Sequence, residues 1–258
     1  MRIPVKIVYV ATAIFISLVF ADCNPGKKSQ ASVKDEPLKE IMPGLLQGYL
    51  SKEEIPNSLA LIPPPPEEGS VAFALDQEYA KKAVESKDTA RFTQAFIDAE
   101  LYFPGAVKSF ESTLGIEISE TKTPKLYVLM RRVLTDAALS VYGAKNQYKR
   151  KRPFMVNNTP ICTPKDEELL RKDGSYPSGH TSVGWAWALV FAEIFPAKTD
   201  AILQRGYAFG ESRVICNVHW HSDVEMGRVM GAAAVAKLHA NAGFQKDLAA
   251  AKEEAKKL

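Results

Sequence analysis

The chain has 258 residues, of which 46% are hydrophobic and 24% are charged, so it is long enough for one domain with a sizeable core. Its formal net charge is +3, and without the basic residues Arg2 and Lys6 there remain 31 basic and 30 acidic residues. A nearly neutral protein is not a general binder of nucleic acid polymers. The sequence also shows no internal repeat, no zinc-type cysteine spacing and no glycine-rich nucleotide loop.

Residues 1–21 have the pattern of a secretory signal peptide, because Arg2 and Lys6 precede an apolar run that ends in small residues. The run is shorter than the ~20 residues of a spanning helix, so a membrane anchor is the less favoured alternative. No later segment is apolar enough to span, and we expect no transmembrane segment after cleavage. Cys23 leaves lipid anchoring as a third alternative, which the preceding Asp22 disfavours.

The remaining chain divides into a polar, lysine-rich leader over residues 22–50 and one domain over residues 51–258. Four consecutive prolines at 63–66 predict an extended surface strap. From about residue 76 onward, apolar residues recur at helical spacing, which indicates an all-α domain.

A long helix is predicted from Thr123, with Pro124 in its first turn and an apolar stripe that continues to Tyr142. Lys145 takes the next position on that stripe. A cation on an apolar face must reach solvent, a partner or a ligand. Because the helix must end near Arg152, Lys145 and Arg152 can converge on one point. The basic residues 149–151 between them are interpreted as a solvated charged surface.

A second motif precedes an apolar helix over residues 181–195, whose composition predicts burial on all sides. Ser178, Gly179 and His180 lie at its N-terminus, where unpaired amides and the helix dipole favour an anion. Gly179 allows the backbone to approach a ligand closely. An ordinary serine cap would explain Ser178 but not His180.

The third motif joins two more helices. A helix over about 200–214 carries Arg213 near its end, and His219 and Asp223 follow. A neutral imidazole is a nucleophile when a carboxylate fixes its free nitrogen. Ser222 and Glu225 predict a capping box, which places Asp223 in the first turn of the last helix. The alternative is a plain helix start with an incidental histidine upstream.

Small residues recur in the helix after Asp223, at Gly227, Gly231 and Ala234, and they predict close packing on a neighbouring helix. Cys162 and Cys216 each lie a few residues from a cationic motif. Since export permits disulfides, we predict that these two cysteines pair and that Cys23 is left over.

Three cations, a helix N-terminus, two histidines and one carboxylate form a coherent set for binding phosphate. One histidine can attack phosphorus while the other protonates the leaving oxygen. His180, His219 and Asp223 are also possible metal ligands. We predict no metal, because three cations would repel a divalent ion.

The three motifs Lys145-x6-Arg152-Pro153, Pro177-Ser178-Gly179-His180 and Ser212-Arg213-x5-His219-x3-Asp223 resemble the signature of the type 2 phosphatidic acid phosphatase (PAP2) superfamily. The leader and residues 59–66 make the chain most similar to the bacterial class A non-specific acid phosphatases. The resemblance implies an all-α, single-domain helical bundle of the PAP2/vanadium haloperoxidase type, periplasmic and homo-oligomeric, that acts on small-molecule phosphate esters without a cofactor.

The resemblance also assigns roles. His219 attacks and forms a phosphohistidine, Asp223 orients it, and His180 protonates the departing alcohol. The phosphate-binding residues are Lys145, Arg152, Ser178, Gly179 and Arg213. The implied function is a metal-independent acid phosphatase for phosphate monoesters such as nucleotides, with phosphotransfer to alcohols left open. The alternatives are a vanadium-dependent haloperoxidase and a non-catalytic phosphate-binding protein.

This division of roles has a consequence for pH. His180 must be protonated while His219 is neutral, and we expect opposed environments to separate the two imidazoles. The expected result is a bell-shaped rate profile on the acidic side of neutral.

Overall fold

A computed structural model describes residues 39–42, 44–86 and 88–258. Helix α9 (Gly179–Ile194) lies at the centre of this described part. The described residues belong to one compact unit, Leu38–Leu258. The predicted signal peptide, Cys23 and the first part of the predicted leader lie outside the described residues.

The described part is almost entirely helical, which confirms the all-α prediction. Besides α9, its helices are α1 (Ser58–Leu61), α2 (Val71–Glu85), α3 (Thr89–Ile97), α4 (Lys108–Leu114), α5 (Pro124–Leu139), α6 (Tyr142–Tyr148), α7 (Pro153–Asn157), α8 (Glu167–Lys172), α10 (Thr199–Ile215), α11 (His221–His239) and α12 (Ala242–Ala255). Short 3-10 helices precede α8 and α10, at Pro164–Asp166 and Pro196–Lys198.

Helix α9 packs against α5, α10 and α11, so it is covered on several sides as its composition predicts. Trp187 is fully buried, and its indole nitrogen donates to the carbonyl of Met130 on α5 at 2.9 Å. A buried indole needs such a partner, because its N–H cannot reach water. This contact fixes the position of α9 relative to α5.

Helix α11 approaches α9 closely because glycines lie between them, as predicted. A Cβ atom at Gly231 would lie 2.5 Å from the carbonyl oxygen of Ser182, and one at Gly227 would lie 2.6 Å from that of Ser178. Real Cβ atoms do not make such contacts. The close approach brings the N-terminus of α9 next to the first turn of α11.

A short antiparallel pair, β1 (Glu40–Met42) and β2 (Leu45–Leu46), precedes the helices. The buried Asp136 on α5 accepts hydrogen bonds from the backbone amides of Tyr49 (2.7 Å) and Leu50 (3.2 Å). Burial raises the pKa of Asp136 to about 6. Residues 45–50, which the sequence assigned to the leader, therefore pack against the bundle, and the predicted boundaries stay predictions.

The predicted long helix from Thr123 is in fact two helices. Helix α5 ends at Leu139, and α6 begins at Tyr142. The hydroxyl of Ser140 donates to the carbonyl of Ala137 at 2.7 Å, a local bond of the kind that competes with helix continuation. Lys145 therefore lies in the last turn of the shorter helix α6, and it is buried.

The close α9–α11 contact predicts that Gly231→Ala destabilises the protein by about 1–3 kcal/mol through overpacking. The melting temperature should fall by several degrees, because each kcal/mol shifts it by roughly 2–4 °C in a domain of this size. The control is Ala232→Gln, on an exposed position of the same helix. Equal melting temperatures for wild type and Gly231→Ala would show that the helices can separate without cost.

Candidate active site

His219 lies between α10 and α11 with its ring buried. Its Nδ1 lies 3.2 Å from Oδ2 of Asp223, and its Nε2 lies 3.0 Å from Nη1 of Arg152. A carboxylate on Nδ1 holds the proton there and leaves the lone pair on Nε2. The nitrogen with the lone pair is therefore the one that faces the cations.

The start of α11 differs from the sequence prediction. Trp220 is the N-cap, and its backbone amide donates to Oδ2 of Asp223 at 2.9 Å. The predicted capping box of Ser222 and Glu225 is wrong, since the helix begins two residues earlier than that box requires. Asp223 nevertheless lies in the first turn, as predicted, where the helix dipole stabilises its charge.

Two of the predicted phosphate-binding cations share a carboxylate partner. Nζ of Lys145 lies 2.9 Å from Oδ2 of Asp173, and Nη2 of Arg152 lies 3.0 Å from the same oxygen. Both cations are buried, whereas the Asp173 side chain is 35% exposed. Burial, followed by repulsion from Arg152, lowers the pKa of Lys145 to about 8. An incoming anion would therefore compete with Asp173.

Arg213, near the C-terminus of α10, is only 2% exposed. Its Nε and Nη1 atoms have no hydrogen-bond partner among the described residues. Burial, followed by repulsion from Arg152, lowers the pKa of this guanidinium. A buried, unpaired cation is costly, and a bound anion would remove that cost. This unpaired guanidinium indicates an anion-binding site.

The Pro177-Ser178-Gly179-His180 motif forms the N-terminus of α9. Ser178 is the N-cap, and its Oγ accepts from the amide of Thr181 at 3.2 Å. The amide of Ser178 donates to the backbone carbonyl of Asp223 at 2.9 Å, which joins the starts of α9 and α11. At Gly179 a Cβ atom would meet only Val141, at 3.6 Å, so the described side chains themselves do not require glycine there.

His180 lies on the first turn of α9, with Nε2 3.0 Å from the carbonyl oxygen of Ala99. Burial, followed by repulsion from Arg213, lowers its pKa well below the ordinary value. Burial, followed by repulsion from Arg152 and Lys145, lowers the pKa of His219 in the same way. The protein groups therefore push both imidazoles toward the neutral form, and the opposed environments expected from the sequence are not what the structure shows.

The predicted site residues come together in one place. Arg213, His219 and Arg152 all act electrostatically on His180, and Lys145 acts on His219. Asp223 contacts His219 directly, and its backbone contacts Ser178. The three motifs, which lie far apart in the sequence, therefore meet at the N-termini of α9 and α11.

Sequence reasoning missed Asp173 and misplaced Arg150. Arg150 was assigned to a solvated run, but its side chain is only 8% exposed and lies 2.7 Å from Oδ1 of Asp223. Exposure alternates along this segment: Lys149 and Lys151 are exposed, whereas Arg150 and Arg152 are not. The signal was the alternation of Lys and Arg, because a guanidinium suits a buried carboxylate better than an ammonium does.

A separate group, Glu211, His221 and Glu225, has side-chain atoms within 4.8 Å of one another. Arg228 forms ion pairs with both of these glutamates, at 2.6 Å to Glu211 and at a shorter distance to Glu225. A guanidinium already compensates the two carboxylates, and the group shares no residue with the predicted site.

The disulfide between Cys162 and Cys216 is present, which confirms the predicted pairing. Its Cα atoms lie 4.8 Å apart, and it joins the segment after α7 to the C-terminus of α10. It therefore ties the loop that follows the Arg152 motif to the helix that carries Arg213. Among the described residues, no helix is both long and apolar enough to cross a membrane.

The chain matches known proteins at several levels. A sequence profile of the PAP2 superfamily matches residues 126–245. A non-specific acid phosphatase from Providencia stuartii is 46% identical over 81% of this chain and 85% of that protein. An acid phosphatase from Zymomonas mobilis subsp. mobilis is 40% identical over 77% of this chain and 75% of that protein. A bacterial vanadium-dependent iodoperoxidase superposes with a TM-score of 0.48 and 21% identity, over 69% of this chain and about half (52%) of that one.

The competition between Asp173 and an incoming anion predicts that Asp173→Asn binds inorganic phosphate more tightly. The dissociation constant should fall by roughly fivefold, because one partly exposed charge interaction is worth on the order of 1 kcal/mol. Isothermal titration calorimetry measures the change, and Asp200→Asn, an exposed acid in the first turn of α10, is the control. Weaker binding to Asp173→Asn would mean that Asp173 instead holds Lys145 and Arg152 in the binding geometry.

Proposed function

The chain belongs to the non-specific acid phosphatases of the PAP2 superfamily, and we propose that it hydrolyses phosphate monoesters through a phosphohistidine at His219. The observation that supports this proposal is the hydrogen bond between Nδ1 of His219 and Asp223, which keeps the lone pair on Nε2. That Nε2 atom lies beside Arg152. A nucleophilic nitrogen next to buried cations suits attack on an electron-rich phosphoryl group.

The first half-reaction transfers the phosphoryl group to the protein. Nε2 of His219 attacks phosphorus, so an N–P bond forms while the P–O bond to the leaving group breaks. The departing oxygen takes a proton from His180. Asp223 stabilises the positive charge that develops on the imidazole, because it keeps the Nδ1 proton in a hydrogen bond.

The second half-reaction releases phosphate. Water attacks the phosphohistidine, His180 accepts a proton from that water, and the N–P bond breaks. An alcohol in place of water would give phosphotransfer by the same steps. Neither half-reaction calls for a metal ion, and we propose that the enzyme is metal-independent.

Lys145, Arg152 and Arg213 are proposed to bind the phosphoryl oxygens, with Ser178 and the amide of Gly179 at the helix N-terminus. The charge count supports this arrangement, because three cations balance a phosphate dianion together with the extra charge of the transition state. The unpaired Nε and Nη1 atoms of Arg213 supply two donors that no described residue uses.

A bound phosphate dianion would also change the protonation of His180. Burial, followed by repulsion from Arg213, lowers the pKa of His180 in the protein. An anion between them would offset that repulsion and favour the protonated imidazole. Substrate binding therefore favours the protonated form of His180 that the leaving group needs.

Small phosphate esters, including nucleotides, are the proposed substrates, and the periplasm is the proposed location. Homo-oligomer formation stays a prediction of the resemblance.

The central prediction separates the two histidines. His219→Ala should abolish both turnover and the acid-labile phosphoenzyme, because no nucleophile remains. His180→Ala should still form phosphoenzyme from p-nitrophenyl phosphate, whose leaving group needs little protonation, but should turn over alkyl phosphates at least ~100-fold more slowly. Rapid quench with 32P-labelled substrate measures the phosphoenzyme.

Equal losses in both variants on both substrates would contradict this division of roles. Full loss of wild-type activity in EDTA, restored only by a divalent ion, would contradict the metal-independent reaction.

The shifted pKa values predict a bell-shaped profile below neutral pH. The lowered pKa of His219 keeps it neutral in acid, so activity falls when the pH is low enough to protonate His219 or its partner Asp223. At higher pH the rate falls as His180 in the substrate complex loses its proton. With an alkyl phosphate, whose leaving group needs the proton, the profile of kcat should therefore lose its alkaline limb in His180→Ala. An unchanged alkaline limb would mean that another group causes it.

A further inference from the structure

We propose that Arg150 is a positioning residue that keeps Asp223 charged and aligned on His219, and that Asp76 and Ser222 hold Arg150 in place. The inference rests on the proposed function, in which Asp223 must be an anion while His219 attacks. It adds Arg150, Asp76 and Ser222 to the site, and these side chains act on His219 only through Asp223.

The guanidinium of Arg150 connects Asp223 to Asp76. Nη1 donates to Oδ1 of Asp223 at 2.7 Å and to Oγ of Ser222 at 2.8 Å, whereas Nη2 donates to Oδ2 of Asp76 at 2.7 Å. The two oxygens of Asp223 thus have different partners, since Oδ2 serves His219 and the Trp220 amide. The rotation of the carboxylate is fixed from both sides.

Asp76 lies on α2, outside all three motifs, and its side chain is only 2% exposed. Its Oδ1 accepts the backbone amide of Ser222 at 2.8 Å, and its Oδ2 accepts the Ser222 hydroxyl at 2.6 Å. Asp76 therefore satisfies an amide in the first turn of α11 and orients Arg150 at the same time. It also stabilises the positive end of the helix dipole.

The guanidinium of Arg150 also lies near two aromatic rings, those of Trp220 and Phe73. The Arg150 Cζ lies 5.4 Å from the Trp220 ring and 5.9 Å from that of Phe73, and the two rings are 5.5 Å apart. Aromatic walls exclude water from the ion pair, so its electrostatic interaction is stronger than on an exposed surface. Arg150 is therefore held in one position by two carboxylates and two aromatic rings, next to the site.

The charged and polar groups that face Asp223 come from several elements. Arg150 comes from the loop after α6, and the Ser175 hydroxyl from the loop before α9; His219 and the Trp220 amide precede α11. Lys145 and Arg152 interact with Asp223 electrostatically. Burial raises the pKa of Asp223, and Arg150 is the first of the groups that oppose this rise.

The consequence concerns activity in acid. If Asp223 gains a proton, it no longer stabilises the positive imidazole that forms when His219 attacks. Without Arg150, burial would act on Asp223 with less opposition, and protonation would begin at a higher pH. Arg150 therefore keeps protonation of Asp223 from raising the low-pH limit of the reaction, although it does not touch the substrate.

The test is Arg150→Met, with Lys151→Met as the matched control. Lys151 is the next residue in the sequence and loses the same charge and a similar side chain, but it is exposed. For Arg150→Met we expect the acidic limb of kcat/KM to move up by about one pH unit, a roughly tenfold loss at low pH that recovers as the pH rises. Lys151→Met should keep the wild-type limb.

Arg150→Gln is the second variant, because it removes the charge but retains an amide donor. It should show the same upward shift and would replace Arg150→Met if that variant failed to fold. Arg150→Lys, which restores the charge, should return the limb toward the wild-type position. Loss of activity by the same factor at every pH in the two neutral variants would overturn the inference, since it would indicate a structural role alone.

The wild-type protein distinguishes this inference from the proposed function. Absence of phosphoenzyme in the wild type would overturn the phosphohistidine mechanism itself. Phosphoenzyme in the wild type, together with an unshifted acidic limb in the Arg150 variants, would overturn only the role of Arg150.

Discussion

The buried anion at Asp223 is the constraint on which the site depends. One carboxylate holds the imidazole of His219, the amide of Trp220 and the guanidinium of Arg150. The backbone carbonyl of the same residue accepts from Ser178 at the start of α9. Because a buried charge must be compensated on all sides, these contacts fix the nucleophile, the start of α11 and the start of α9 together.

The second constraint is an excess of positive charge. Lys145, Arg152 and Arg213 are buried near one another, with Asp173 as a partly exposed partner for two of them. Burial, followed by repulsion from cations of this group, lowers the pKa values of both histidines. The free energy of such a cluster of buried cations falls when an anion binds. The site should therefore bind phosphate tightly, and a transition state with more negative charge more tightly still.

Helix packing brings the two constraints together. The glycines at 227 and 231 allow α11 to lie directly on the backbone of α9, and the buried α9 is fixed to α5 through Trp187. The N-termini of α9 and α11 therefore lie next to each other. The disulfide ties the loop after α7 to the end of α10. The helical core thus carries site residues on the ends of helices and on short loops.

The sequence by itself determined the helical class and the three motifs, because helical periodicity, motif spacing and residue chemistry are local properties. It only suggested the pairing of Cys162 with Cys216, which lie 54 residues apart and which the tertiary structure brings together. It could not determine the break after Leu139, the true cap of α11 or the burial of Arg150. The burial of Arg150 depends on partners far along the chain, such as Asp76, which lies 74 residues from Arg150. The tertiary structure alone decided which cation faces solvent and which faces Asp223, since a charged side chain takes its place from the counter-charge that the fold brings to it.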